Sequence, residues 1–175
     1  MAYALEMFFD TEADNAVREL WQRLENANIP SLASRTHRKH RPHSTLAIAG
    51  GIPASTRTEL TKQLRMLALP NLWLYTLGTF PTKENALFLA AVVDTELLAV
   101  HSAVHDTLAG KVKNPLAYYL PGAWVPHCGL AQNITNEQLS SGFSLLHPID
   151  PISARIAEVG ITNTGTGEVE KLIKR

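Results

Sequence analysis

Arg41-Pro42-His43-Ser44-Thr45-Leu46-Ala47-Ile48 is echoed further along the chain by Val125-Pro126-His127-Cys128-Gly129-Leu130-Ala131. The shift that carries His43 onto His127 is 84 residues, and the same shift carries Asp10-Thr11-Glu12 onto Asp94-Thr95-Glu96. In each half an apolar run, Met7-Phe8-Phe9 or Ala91-Val92-Val93, meets an acidic helix start, and a histidine segment follows. Two matches at one offset predict a duplicated supersecondary unit whose copies pack against each other. A pseudo-twofold axis between the copies would set the two histidines face to face across a central cleft.

The elements follow from local signals. Residues 4–9 read as a strand, and Asp10 or Thr11 caps a helix running to about residue 27, with Ala13, Ala16, Val17, Leu20 and Leu24 on its apolar face. Residues 28–41 read as a loop or short edge strand, followed by a first histidine strand over 43–49 that ends at Gly50-Gly51. Thr56 and Glu59 form a T-x-x-E capping box for a helix that Pro70 stops. Strands are expected over 72–80 and 86–93, and then a helix from Asp94 whose face of Leu97, Val100, Val104 and Leu108 matches the first helix at the same shift. An ordered loop over 111–126, the second histidine strand, a Thr135/Gln138 capping box and a hairpin closing at 163–167 complete the chain. The expected fold is α+β and bilobal, with antiparallel sheets flanked by helices, and residues 1–175 forming one domain of two pseudo-symmetric lobes.

Composition narrows the partners. Apolar residues make up 45% of the 175, enough for one sizeable core. Sixteen basic and sixteen acidic residues cancel, so attraction to a polyanion must be local. One cysteine excludes an internal disulfide framework. The first residues lack a basic stretch before a long apolar segment, and no run approaches ~18 apolar residues. A cytoplasmic monomer with no membrane association is expected.

Side chains two apart on a strand share a face, so alternation sets His43, Thr45, Ala47 and Ala49 on one side and Ser44, Leu46 and Ile48 toward the core. The second strand repeats this, with His127, Gly129 and Ala131 outward and Cys128 inward as a structural thiol. Two imidazoles facing one cleft can divide acid and base roles, because histidine titrates near neutral pH. On a phosphodiester, one deprotonates the attacking oxygen, the other protonates the leaving oxygen, and neighbouring donors hold the nonbridging oxygens without a metal.

These residues resemble the two-histidine (2H) phosphoesterases, which include bacterial 2′-5′ RNA ligase and cyclic nucleotide phosphodiesterases. The family signature is a pair of His-x-Thr/Ser strands, each followed by an aliphatic residue, about eighty residues apart in a bilobal fold. His43-Ser44-Thr45-Leu46 matches throughout, whereas His127-Cys128-Gly129-Leu130 has glycine in place of the hydroxyl residue. Tyr118-Tyr119-Leu120-Pro121-Gly122 and Trp124-Val125-Pro126-His127 also look similar to the bacterial branch. The resemblance implies hydrolysis or transesterification of 2′,3′-cyclic phosphates or 2′-5′ linkages, with His43 and His127 as the acid-base pair and Thr45 binding phosphate. The implied partner is a nucleotide or RNA end bearing a cyclic phosphate, with no cofactor and no metal. Gly129 sits in the second substrate-binding position, and losing one donor there costs on the order of 3 kcal/mol of transition-state stabilisation. Either a backbone N–H or a water replaces that donor, or glycine widens the pocket; the rival outcome is a nucleotide- or RNA-binding module with little catalysis.

The basic run Arg35, His37, Arg38, Lys39, His40, Arg41 is either a solvated loop or a guide for a polyanion, with Arg41 the first candidate contact. Tyr118, Tyr119 or Trp124 can stack a base or simply pack the loop. His101 and His105 stand four apart on a helix, but Ser102 occupies the place where a zinc hydrolase needs glutamate, and their first-half counterparts are Val17 and Trp21, which favours packing.

Overall fold

The computed structural model describes residues 2–175. Strands β1 (Tyr3–Phe9), β2 (His43–Gly51), β3 (Leu72–Gly78), β4 (Asn85–Ala91), β5 (Lys113–Pro115), β6 (His127–Ile134), β7 (Ile152–Ala154), β8 (Ile156–Asn163) and β9 (Val169–Lys174) alternate with helices α1 (Thr11–Asn26), α2 (Ala54–Met66), α3 (Thr95–Leu108) and α4 (Asn136–Leu146). Every strand pairing is antiparallel, giving one sheet in the order β5-β2-β1-β8-β9 and another in the order β6-β4-β3-β7. The α+β architecture with two antiparallel sheets is as the sequence predicts.

Equivalent residues build equivalent features. Asp10 and Asp94 cap α1 and α3, accepting from Ala13 N at 3.0 Å and from Leu97 N at 2.7 Å. Both histidine strands carry a β-bulge at the same place: Leu46 is the extra residue between the pairs Glu6–Thr45 and Leu5–Ala47, and Leu130 the extra residue between Phe88–Gly129 and Leu87–Ala131.

The two halves are interlocked. Although α1 follows a strand of the first sheet, it packs against β6 and β7 of the second, while α3 follows β4 of the second sheet and packs against β2 of the first. Trp21 Nε1 on α1 donates to Gly129 O at 3.1 Å, and His105 Nε2 on α3 donates to Leu46 O at 3.1 Å. Each helix thereby fixes the backbone of the other half's histidine strand.

The elements depart from expectation in three places. Helix α2 starts at Ala54 after Pro53, with no side-chain cap, so Thr56 and Glu59 form no capping box. Thr56 is the first of a buried stripe with Leu60 and Leu64, at helical spacing, and Glu59 instead pairs with Lys111. The 111–126 stretch is not all loop, because β5 adds an edge strand beside β2. The strand that leads into the closing hairpin is split at Arg155, where the chain crosses from β7 in one sheet to β8 in the other. The Thr135/Gln138 capping box forms as expected. Among the described residues no helix is long and apolar enough to cross a membrane.

Candidate active site

Each histidine is held by the segment that precedes it. Arg41 and Val125 stand before prolines, which favours an extended backbone there. His43 Nδ1 donates to Arg41 O at 2.6 Å, and His127 Nδ1 donates to Val125 O at 2.7 Å. A carbonyl only accepts, so in both rings Nδ1 keeps a proton and Nε2 is the nitrogen left for chemistry. Strands β2 and β6 lie against each other, and the His43 charge is felt at His127.

Strand register defines the walls of the cleft. On the first sheet, Phe8 pairs with His43 and Glu158, and Glu6 pairs with Thr45 and Gly160, so these residues share one face with Thr162 further along β8. The Leu46 bulge then reverses the alternation. Ala47 and Ala49 fall on the Leu5 and Met7 face and are buried in the core, which corrects the expectation that they line the cleft. On the second sheet, Ala90 pairs with His127 and Phe88 with Gly129.

The two walls differ in chemistry. Glu6, only 7% exposed, sets Oε1 3.3 Å from His43 Nε2, and the Thr162 hydroxyl donates to its Oε2. Glu158, 6% exposed, takes Arg41 Nη1 at 2.7 Å and Lys171 Nζ at 3.5 Å, while the Arg41 guanidinium lies 4.2 Å from the Phe8 ring centre. Around His127 the wall is aromatic, with Phe80 and Phe88 ring centres at 5.0 and 5.1 Å.

Burial lowers the His127 pKa, with the His43 charge acting in the same direction against the Val125 carbonyl. His40 is lowered to about 4 by burial and by the charges of His37 and His43. Burial also raises the Tyr119 pKa, helped by the Glu6 carboxylate. The Cys128 thiol is pushed up to about 12 by burial, so it stays protonated as a structural residue.

A profile of the 2′-5′ RNA ligase superfamily matches residues 9–168. The chain belongs to the 2′-5′ RNA ligase superfamily. Among solved structures it is similar to a phosphoesterase crystal structure at 14% identity, with 99% of this chain and 95% of that one covered and a TM-score of 0.56. It also matches Usb1 of Kluyveromyces marxianus at 12% identity, 98% and 97% coverage and a TM-score of 0.47, and Usb1 with uridine monophosphate at 13%, 98%, 97% and 0.46. No curated protein matches the chain. Superfamily membership and fold together support a phosphoesterase-type function.

With respect to the superfamily motif, the structure brings His43, Thr45, His127 and Gly129 onto the facing strands, with Thr45 buried. Arg41 reaches the same wall, tied to Glu158. Tyr118 is 75% exposed, and its neighbour Tyr119 is the tyrosine that senses Glu6. Trp124 packs the site from behind, donating Nε1 to Thr45 O at 2.9 Å and stacking on His101 at 4.0 Å. His101 Nε2 donates to Tyr119 O at 2.9 Å, so His101 and His105 both serve packing.

The glycine of the second motif opens no space. A Cβ on Gly129 would stand 2.6 Å from Leu32 Cδ1, so Leu32 fills the place of the missing side chain, contrary to the idea of a widened pocket. Leu32, Glu6, Phe80, Phe88, Glu158 and Thr162 were not singled out by motif. Glu6 alone carried a signal, as the one charge inside the apolar strand Ala4-Leu5-Glu6-Met7-Phe8-Phe9.

Proposed function

We propose that the protein is a phosphoesterase acting on 2′,3′-cyclic phosphates or 2′-5′ linkages of nucleotides or RNA, with His43 and His127 as the acid-base pair and no metal needed. The observation that supports this is the matched anchoring of the two rings, Nδ1 to a carbonyl two residues back in each, which leaves Nε2 as the nitrogen for proton transfer in both, on strands β2 and β6 that lie against each other. One Nε2 accepts the proton of the attacking hydroxyl or water while the other delivers a proton to the leaving oxygen. The Thr45 hydroxyl binds a nonbridging oxygen, and Arg41 approaches the phosphate from the Phe8 side. The two lobes act as one unit, since each contributes one histidine. Turnover of 2′,3′-cyclic CMP and of a 2′-5′-linked dinucleotide in EDTA tests this, and a protein that hydrolyses neither contradicts it.

Leu32 at Gly129 favours a second function, a nucleotide- or RNA-binding module with the same cleft, because the donor opposite Thr45 is replaced by an apolar side chain. Calorimetric titration with 3′-CMP separates the two: binding without turnover selects the module.

A further inference from the structure

We propose that Glu6, held by Thr162, divides the roles of the two histidines: it makes His43 the acid that protonates the leaving oxygen and leaves His127 as the base. This rests on the phosphoesterase reaction proposed above and names a residue that its two-histidine motif does not contain.

The lobes are unequal at one matched position. Glu6 pairs with Thr45 on β2 just as Phe88 pairs with Gly129 on β6, so the strand beside His43 offers a carboxylate where the strand beside His127 offers a phenyl ring. The carboxylate is directed at the ring, with Glu6 Oε1 3.3 Å from His43 Nε2. Because His43 Nδ1 keeps its proton and donates it in a hydrogen bond to Arg41 O, a bare Nε2 would turn its lone pair toward carboxylate lone pairs. The contact is attractive when Nε2 carries a proton. At 3.3 Å it is longer than a charge-assisted hydrogen bond of ~2.8 Å, so that proton stays available to a ligand in the cleft.

The neighbouring groups reinforce the difference. Thr162 donates to Glu6 Oε2, which fixes Glu6 as an acceptor. Arg41 and Lys171, the cations on the same wall, pair with Glu158 and not with Glu6, and Tyr119 is kept protonated by burial and by Glu6. His40 and His127, which sense the His43 charge, are both held toward their neutral forms by burial. A neutral His127 between Phe80 and Phe88 is suited to accept a proton.

In the resulting step, the attacking water or hydroxyl oxygen bonds to phosphorus and gives its proton to His127 Nε2. The bond from phosphorus to the leaving oxygen breaks, and that oxygen takes the proton of His43 Nε2. Exchange with water then restores both rings.

The test compares two leaving groups in the intact protein. Ring opening of 2′,3′-cyclic CMP expels a sugar oxygen that needs a proton, whereas uridine 3′-(4-nitrophenyl phosphate) expels a phenolate that does not. Glu6→Gln is expected to lower kcat on the cyclic phosphate by about 10- to 100-fold with little change in KM, and by less than about 3-fold on the nitrophenyl ester. Thr162→Val is expected to act in the same direction, and His127→Ala to abolish both reactions. Equal losses on both esters for Glu6→Gln, or a nitrophenyl reaction that survives His127→Ala and not His43→Ala, would overturn the assignment. Nitrogen-15 spectra of the unmutated protein at neutral pH give an answer independent of activity. Both ring nitrogens of His43 are expected to be protonated and only Nδ1 of His127; a bare His43 Nε2 refutes the Glu6 pairing. If neither ester turns over, the phosphoesterase reaction falls while the spectra still decide the pairing.

Discussion

Leu32 Cδ1 lies 2.6 Å from the point where a Cβ on Gly129 would stand, so the apolar side chain of one segment occupies the position that a hydroxyl residue takes in the second half of the histidine motif. The two halves of the cleft are therefore alike in backbone and unlike in side-chain chemistry. Thr45 keeps its hydroxyl on one strand, and its counterpart is filled from the 28–41 segment.

This relationship predicts that Gly129→Thr alone gives no gain in activity. The new side chain must displace a leucine that is itself buried, at about 1–3 kcal/mol of stability. Combined with Leu32→Ala, the hydroxyl gains its space, and kcat/KM on 2′,3′-cyclic CMP is expected to rise by up to about 100-fold. Steady-state kinetics and urea melts of the single and double variants check both parts; a gain from Gly129→Thr alone would contradict the filled-pocket geometry.

The interlocked helices predict a second effect. Trp21 is 2% exposed and its indole N–H is spent on Gly129 O. Trp21→Phe removes the hydrogen bond and little volume, at about 1 kcal/mol, whereas Trp21→Ala empties the site, at about 3–5 kcal/mol. Urea denaturation measures both, and an unchanged stability in Trp21→Phe would show that the bond to the histidine strand contributes nothing.

A third effect concerns acid. Burial, with help from His105, lowers the His101 pKa to about 4 from its ordinary 6.5. Between those values the unfolded chain binds a proton that native His101 refuses, so this group makes stability fall as pH drops through the window. His101→Gln keeps a neutral side chain at every pH. The Tm of the unmutated protein is expected to fall more steeply than that of the variant from pH 6.5 to 4, and parallel curves would contradict the account.

The sequence made the histidine strands legible because two signals agreed, a repeated Pro-His and a repeated acidic helix cap at one shift. It made the packing role of His101 and His105 legible through their apolar counterparts. What it hid is equally physical. A bulge at Leu46 adds one residue to a strand, and nothing in strict alternation announces it, so alternation alone puts Ala47 and Ala49 on the wrong face. The match of Glu6 with Phe88 was hidden by two further residues. By register Leu5 and Glu6 correspond to Leu87 and Phe88, not to the residues 84 further on, and the exposed Val92 and Val93 make up the difference before Asp94. Thr162 lies far from Glu6 in sequence, and only the adjacency of β1 and β8 brings them together.

The central claim is that one cleft uses one histidine from each lobe, and the most direct measurement is the single-turnover rate of 2′,3′-cyclic CMP hydrolysis in EDTA for the unmutated protein, His43→Ala and His127→Ala. Each substitution is expected to lower the rate by about 100-fold or more, with the double variant little worse than either single one. A variant that retains most of the activity, or activity lost to EDTA in the unmutated protein, would contradict the two-histidine account.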